Sequence, residues 1–222
     1  MKKTETDFLK IAEKVQIDTE NVCFKFHTNA VEYSEQFEKT IANKIIKQSD
    51  SLLLKFISVS TNLEYLWQIH YLKEEKFNLQ NHKYEWENKL SLTDYLFFEN
   101  VIFQLRAFLD FSQKLSCLVL GYTKPIDGTK DFYKILSKIE NEKARKIELK
   151  FSEIFDEESW GALVKSLRDK ITHFDTVKTK SKYRPEIRGE NYEWFCQKLE
   201  NDMFILLTEL NEILFEKEWE SE

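Results

Sequence analysis

Glycine and proline are scarce in this sequence, four and two residues in 222. A sheet protein of this size needs more of both to turn its strands tightly, so the scarcity speaks for long helices with few joints. So few glycines also leave no Gly-rich phosphate loop, and no serine stands in the Gly-flanked elbow of a hydrolase. Cysteine is nearly as sparse. Cys23, Cys117 and Cys196 are odd in number and far apart, which fits reduced, mostly buried cytoplasmic thiols better than a disulfide framework or a zinc site. No apolar run is long enough to span a bilayer, and the opening "MKKTETDFLKIAEK" turns polar too soon for a signal peptide. Internal repeats and low-complexity tracts are absent. His27, His70 and His82 lack metal-ligand spacing with each other or with the cysteines, so neither a metal nor a cofactor is expected.

What the chain does have is 42% hydrophobic, 14% aromatic and 32% charged residues, enough for a buried core under a solvated helical surface. The net charge of −6 excludes a protein that coats nucleic acid through its overall field, while leaving room for a local basic site. The five tryptophans read as packing residues.

Apolar periodicity predicts an all-α protein with a helical bundle at its centre. Residues 4–17 read as a short amphipathic helix, and "VCFKFH" (22–27) alternates like a brief strand. Helical spacing resumes from about Asn29 to Leu72, with a break near "KQSDS" (47–51), where Asp50 or Ser51 is placed to cap a second helix. Residues 73–91 read as a connection. A long helix follows over 92–122, its buried stripe formed by Phe98, Val101, Ile102, Leu105, Phe108, Leu109, Ser112, Leu115 and Val119, with Gly121 just past its end. Further helices are expected over about 129–143, 148–156, 158–177 and 191–217. The simplest division is an N-terminal helical extension, 1–91, packed on a core, 92–222, the whole forming one compact domain.

The stretch that carries chemistry is "SLRDKITHFD" (166–175). Asp169 and His173, four apart, share a helix face, whereas Arg168 and His173, five apart, differ by about 140° and meet only if the helix ends or bends near Thr172. A histidine held by a carboxylate suits proton transfer, and an arginine beside it supplies a permanent charge matched to phosphate. The plainer reading of the same spacing is an Asp–His pair on a solvated helix end with Arg168 in a surface salt bridge. Directly after it comes "KTKSKYRPEIR" (178–188), where Lys178, Lys180, Lys182, Arg184 and Arg188 surround Tyr183. Cations with an interleaved aromatic suit single-stranded nucleic acid, though a charged solvated loop has the same composition. Arg106 and Asp110, four apart in the long helix, make either a simple ion pair or a brace that faces the motif helix and orients Arg168.

"RDKITH" (168–173) resembles the signature of HEPN (higher eukaryotes and prokaryotes nucleotide-binding) domains, with Asp169 at the polar position that follows the arginine. "FQLRAFLDF" (103–111) looks like the long helix that precedes the motif in the larger prokaryotic members. The resemblance covers roughly residues 92–216. It implies a helical bundle that dimerises and brings two motifs to one cleft, and an activity of metal-independent ribonucleases in toxin–antitoxin or antiviral defence. Other members are inactive modules that bind RNA, a nucleotide or a protein. Carried to matching positions, Arg168 and His173 are the expected catalytic residues, with Asp169 their polar partner. Expected partners are therefore single-stranded RNA, a second copy of the chain, and an antitoxin or defence protein, with no membrane involved.

Overall fold

In the computed structural model the described residues are 5–78, 92–157, 159–172 and 192–215; side chains are described over 18–65, 96–157, 159–169, 171 and 199–215. They form seven α-helices and no strand: α1 (Glu5–Ser34), α2 (Lys39–Asn78), α3 (Leu92–Val119), α4 (Gly128–Leu136), α5 (Glu142–Ile154), α6 (Trp160–Thr172) and α7 (Tyr192–Phe215). The all-α expectation is met.

Phenylalanine does much of the packing. Phe26, Phe56, Phe98, Phe108, Phe132 and Phe151 are fully buried. Edge-to-face pairs tie the helices together: Phe26 with Phe215 joins α1 to α7 at 5.2 Å, Phe56 with Phe204 joins α2 to α7 at 5.0 Å, and Phe132 with Phe151 joins α4 to α5 at 4.9 Å. Such pairs add about 0.5–1.5 kcal/mol each beyond the burial of their area. The nine residues of the expected α3 stripe are all buried, which makes α3 the central helix.

Side-chain contacts give the directions. His27 to Asp50 and Thr19 to Ser60 run α1 antiparallel to α2. Gln48 to the Phe111 carbonyl and Tyr65 against Phe97 run α2 antiparallel to α3. Lys143 on the Leu214 carbonyl and Lys150 on Glu209 run α5 antiparallel to α7. α7 closes the bundle against α1 and α2 through Asn29 Nδ2, which donates to Asn211 Oδ1 at 3.1 Å, and Ser60 Oγ, which donates to Glu200 Oε1 at 2.9 Å. Burial pushes the Glu200 carboxyl above its ordinary value; the Ser60 hydrogen bond pulls it back and Glu64 pushes it further up. Glu64 is itself pushed up by burial.

Several sequence boundaries are corrected. The segment 22–27 is not a strand but the middle of α1, because Val22 and Cys23, Phe26 and Ala30 return to the core at helical intervals. α2 runs unbroken through 47–51. Asp50 is taken up by His27 of α1 at 2.9 Å, and Ser51 Oγ turns back onto the Lys47 carbonyl at 2.8 Å, so neither serves as a cap. The break lies instead between Ser34 and Lys39. α2 also continues to Asn78, into the expected connection. The single helix expected over 129–143 stops at Leu136, and α5 starts earlier than expected, because Asn141 caps it by accepting from the Ala144 N–H at 2.7 Å. Gly121 and Gly128 take φ of +84° and +76°, the left-handed turns that end α3 and begin α4.

Candidate functional site at the α3–α6 corner

The motif helix is positioned by a close approach. At Gly161 a side-chain carbon would lie 2.5 Å from both the Ile154 side chain and its carbonyl oxygen, so only glycine lets the start of α6 lie this tightly on the end of α5. Val164 and Leu167 are buried, with Leu163 and Ile171 packed against the same core. That face presses α6 onto α3. It leaves the next two residues, Arg168 and Asp169, on the flank of the corner, 43% and 47% exposed as side chains. Arg168 Nη1 donates to Asp169 Oδ1 at 3.0 Å.

On α3, Arg106 Nη2 lies 3.0 Å from Asp110 Oδ1, the i,i+4 ion pair read from the spacing. Arg106 is walled in: its side chain is 16% exposed, the guanidinium lies 6.0 Å from the centre of the Phe155 ring, and Nη2 also donates to Thr129 Oγ1 at 3.4 Å. Burial pushes the Asp110 carboxyl above its ordinary value, and Arg106, Lys114 and Arg168 each pull it back down. Arg168 of α6 therefore lies within electrostatic reach of Asp110 of α3. The i,i+4 pair is thus formed, and its carboxylate feels the charge of Arg168.

Lys114 was missed in the sequence reading. It is exposed, lies 5.6 Å over the Phe111 ring, and is the third charge in the i,i+4 series Arg106, Asp110, Lys114. The series was the signal available for it. Gln113, buried, donates to Thr129 Oγ1 at 3.4 Å and so ties α4 to the Arg106 side of the corner.

Three cations thus gather around one half-buried carboxylate on a partly open helix flank. Chemically, such cations can meet a phosphate or another anion, Arg168 through its planar guanidinium. His173 and the segment with Lys178, Lys180, Lys182, Tyr183, Arg184 and Arg188 lie outside the described residues. Among the described residues no group of three His, Cys, Asp or Glu side chains is placed to hold a metal ion, and no helix is long and apolar enough to cross a membrane. The two described cysteines are unreactive by burial, which pushes the Cys23 thiol up to about 11 and the Cys117 thiol up to about 12. Compared with family models, with curated proteins and with solved structures, the chain finds no match in any of the three.

Proposed function

We propose that this chain is a HEPN-type, metal-independent endoribonuclease that cleaves single-stranded RNA, acting in the cytoplasm in a toxin–antitoxin or antiviral setting. The observation that carries the reading is the setting of Arg168. It stands partly open near the C-terminal end of α6, five residues before His173, held by Asp169 at 3.0 Å and within electrostatic reach of Asp110 of α3. In this mechanism the RNA 2′-oxygen attacks the adjacent phosphorus and the bond to the 5′-oxygen breaks, leaving a 2′,3′-cyclic phosphate and a 5′-hydroxyl. His173 takes the 2′ proton or returns one to the leaving oxygen. A second copy of the chain in a homodimer supplies the other histidine, since acid and base are both needed. Arg168 stabilises the charge that grows on the phosphorane, Asp169 orients His173, and Asp110 with Arg106 braces Arg168 from α3. Lys178 to Arg188 hold the RNA backbone.

A second reading is a non-catalytic HEPN-like module that binds RNA, a nucleotide or a protein. One observation favours it: Asp169, assigned above to orient the histidine, spends its Oδ1 on Arg168. The two part on one experiment. Purified protein should cut single-stranded RNA in the presence of EDTA, and His173→Ala should abolish turnover while the circular dichroism melt stays in place. RNA binding without cutting by the unaltered protein selects the module; neither binding nor cutting removes both.

A further inference from the structure

At the other end of α6 from Arg168 there is a cleft of about 250 Å³ between the end of α5, the first turn of α6 and the middle of α7. Its lining combines apolar groups, among them Ile154, Trp160 and Leu206, with Lys150 and three carboxylates, Glu153, Asp202 and Glu209. The charged residues are arranged around a cation. Lys150 Nζ lies 3.0 Å from Glu153 Oε2 and 2.7 Å from Glu209 Oε2. Burial pulls the Lys150 pKa down, but the hydrogen bonds it donates to Glu209 and Glu153, with their charges, more than restore it, so the ammonium stays charged. Two carboxylates share one ammonium, and their oxygens retain acceptor capacity at the mouth, where Glu153 is 57% exposed.

The positive end of the α6 dipole does not dominate this field, because Ser159 caps it: its Oγ accepts from the Ala162 N–H at 3.4 Å while its hydroxyl donates to the Ile154 and Asp156 carbonyls. Ile205, 46% exposed, adds an apolar rim. The space falls below the roughly 300–1,000 Å³ of sites for drug-sized ligands, and is the scale of one long side chain.

We propose that this cleft is a docking site for a protein partner, entered by one arginine side chain of that partner flanked by apolar residues. The choice follows from charge complementarity and shape. The arginine's stem lies along Ile154 and Leu206, its planar head stacks on the Trp160 indole, and its N–H fork reaches the free lone pairs of Glu153 and Glu209. Lysine suits the place less well, because a strongly hydrated point charge duplicates Lys150. The apolar flanks of the partner meet Ile205. This docking site is independent of the ribonuclease reading.

The test uses the full chain and a hexapeptide probe with one central arginine between two leucines, titrated while backbone amide shifts are followed. Saturable shifts should centre on Trp160, Ile205 and Glu209. Replacing the probe's arginine by glutamate should weaken binding at least about tenfold, the scale of losing a charge-assisted hydrogen bond. Glu209→Gln should weaken it about tenfold, and Glu153→Gln, on the open rim, should do so severalfold even if the first variant folds poorly. Lys150→Met should tighten binding severalfold by freeing both carboxylates. Shifts that map elsewhere, or unchanged affinity in folded Glu153→Gln, overturn the proposal. Spermidine that binds as tightly as the peptide and displaces it at equal concentration overturns the protein partner in favour of a free polyamine.

Discussion

Asp110 and Glu200 are both carboxylates caught between packed helices, and burial pushes both upward. Their company differs. Asp110, between α3 and α6, has Arg106, Lys114 and Arg168 pulling against burial. Glu200, between α7 and the α1–α2 hairpin, has the Ser60 hydroxyl, alone among the described residues, to pull it back, and Glu64 pushes the other way. The first arrangement sets three cations against the burial of one carboxylate, and in the proposed function these are what an anionic substrate meets. The second favours a proton and ties three helices together through Thr19, Ser60 and Glu200. One corner is built for charge, the other for closure.

Arg168→Ala should break the contrast most strongly. RNA cleavage should fall about 10²–10³-fold, the usual loss for one transition-state donor, while Glu200→Gln leaves the rate unchanged. Equal losses in single-turnover assays would mean the α3–α6 corner has no special role. Asp110→Asn comes next. It removes the ion pair of the 16% exposed Arg106 but also the burial cost of a carboxyl that is pushed above its ordinary value, so urea melts near pH 7 should show a net change within about 1 kcal/mol.

Glu200→Gln should stabilise, and only at higher pH. Glu200's pKa is raised in the folded chain, so between its ordinary and raised values the folded state binds more protons than the unfolded one. Its contribution is favourable in acid and is lost as pH rises through that window. The glutamine variant should therefore be more stable than the parent near pH 7, by about 1 kcal/mol, with the difference gone near pH 4. Stability that rises with pH at this position would contradict the reading. The smallest effect is expected from Lys114→Ala: RNA affinity about threefold weaker and a salt dependence flatter by about one unit of slope, read by fluorescence anisotropy.

Long periodic segments were legible in the sequence, as the stripe from Phe98 to Val119 and the Leu199, Met203, Leu206, Leu207, Leu210 and Leu214 series show by being buried throughout. There each residue's neighbours along the helix report the same face. Ends were less legible. Asp50 looks like a cap until His27, 23 residues away, is known to take its carboxylate. A brief alternation at 22–27 looks like a strand until Phe26 is seen packed on Phe215 of the last helix. Asn141 carried a readable cap signal that the longer run of helical spacing obscured. At the site, the Arg106–Asp110 pair was readable from spacing alone. Its nearness to Arg168 depends on the packing of α6 across α3, which no local pattern encodes, whereas the Lys114 contribution follows from its i,i+4 place on α3 itself.

The most direct test of the charged corner as a nucleolytic site uses a DNA strand that contains a single ribonucleotide, incubated with the protein and EDTA. The account predicts one cut, on the 3′ side of that ribose, with a 2′,3′-cyclic phosphate on one product and a 5′-hydroxyl on the other. Methylation of the lone 2′-oxygen should prevent it. Cutting at deoxyribose positions, 5′-phosphate ends, or an undiminished cut by Arg168→Ala would contradict the account.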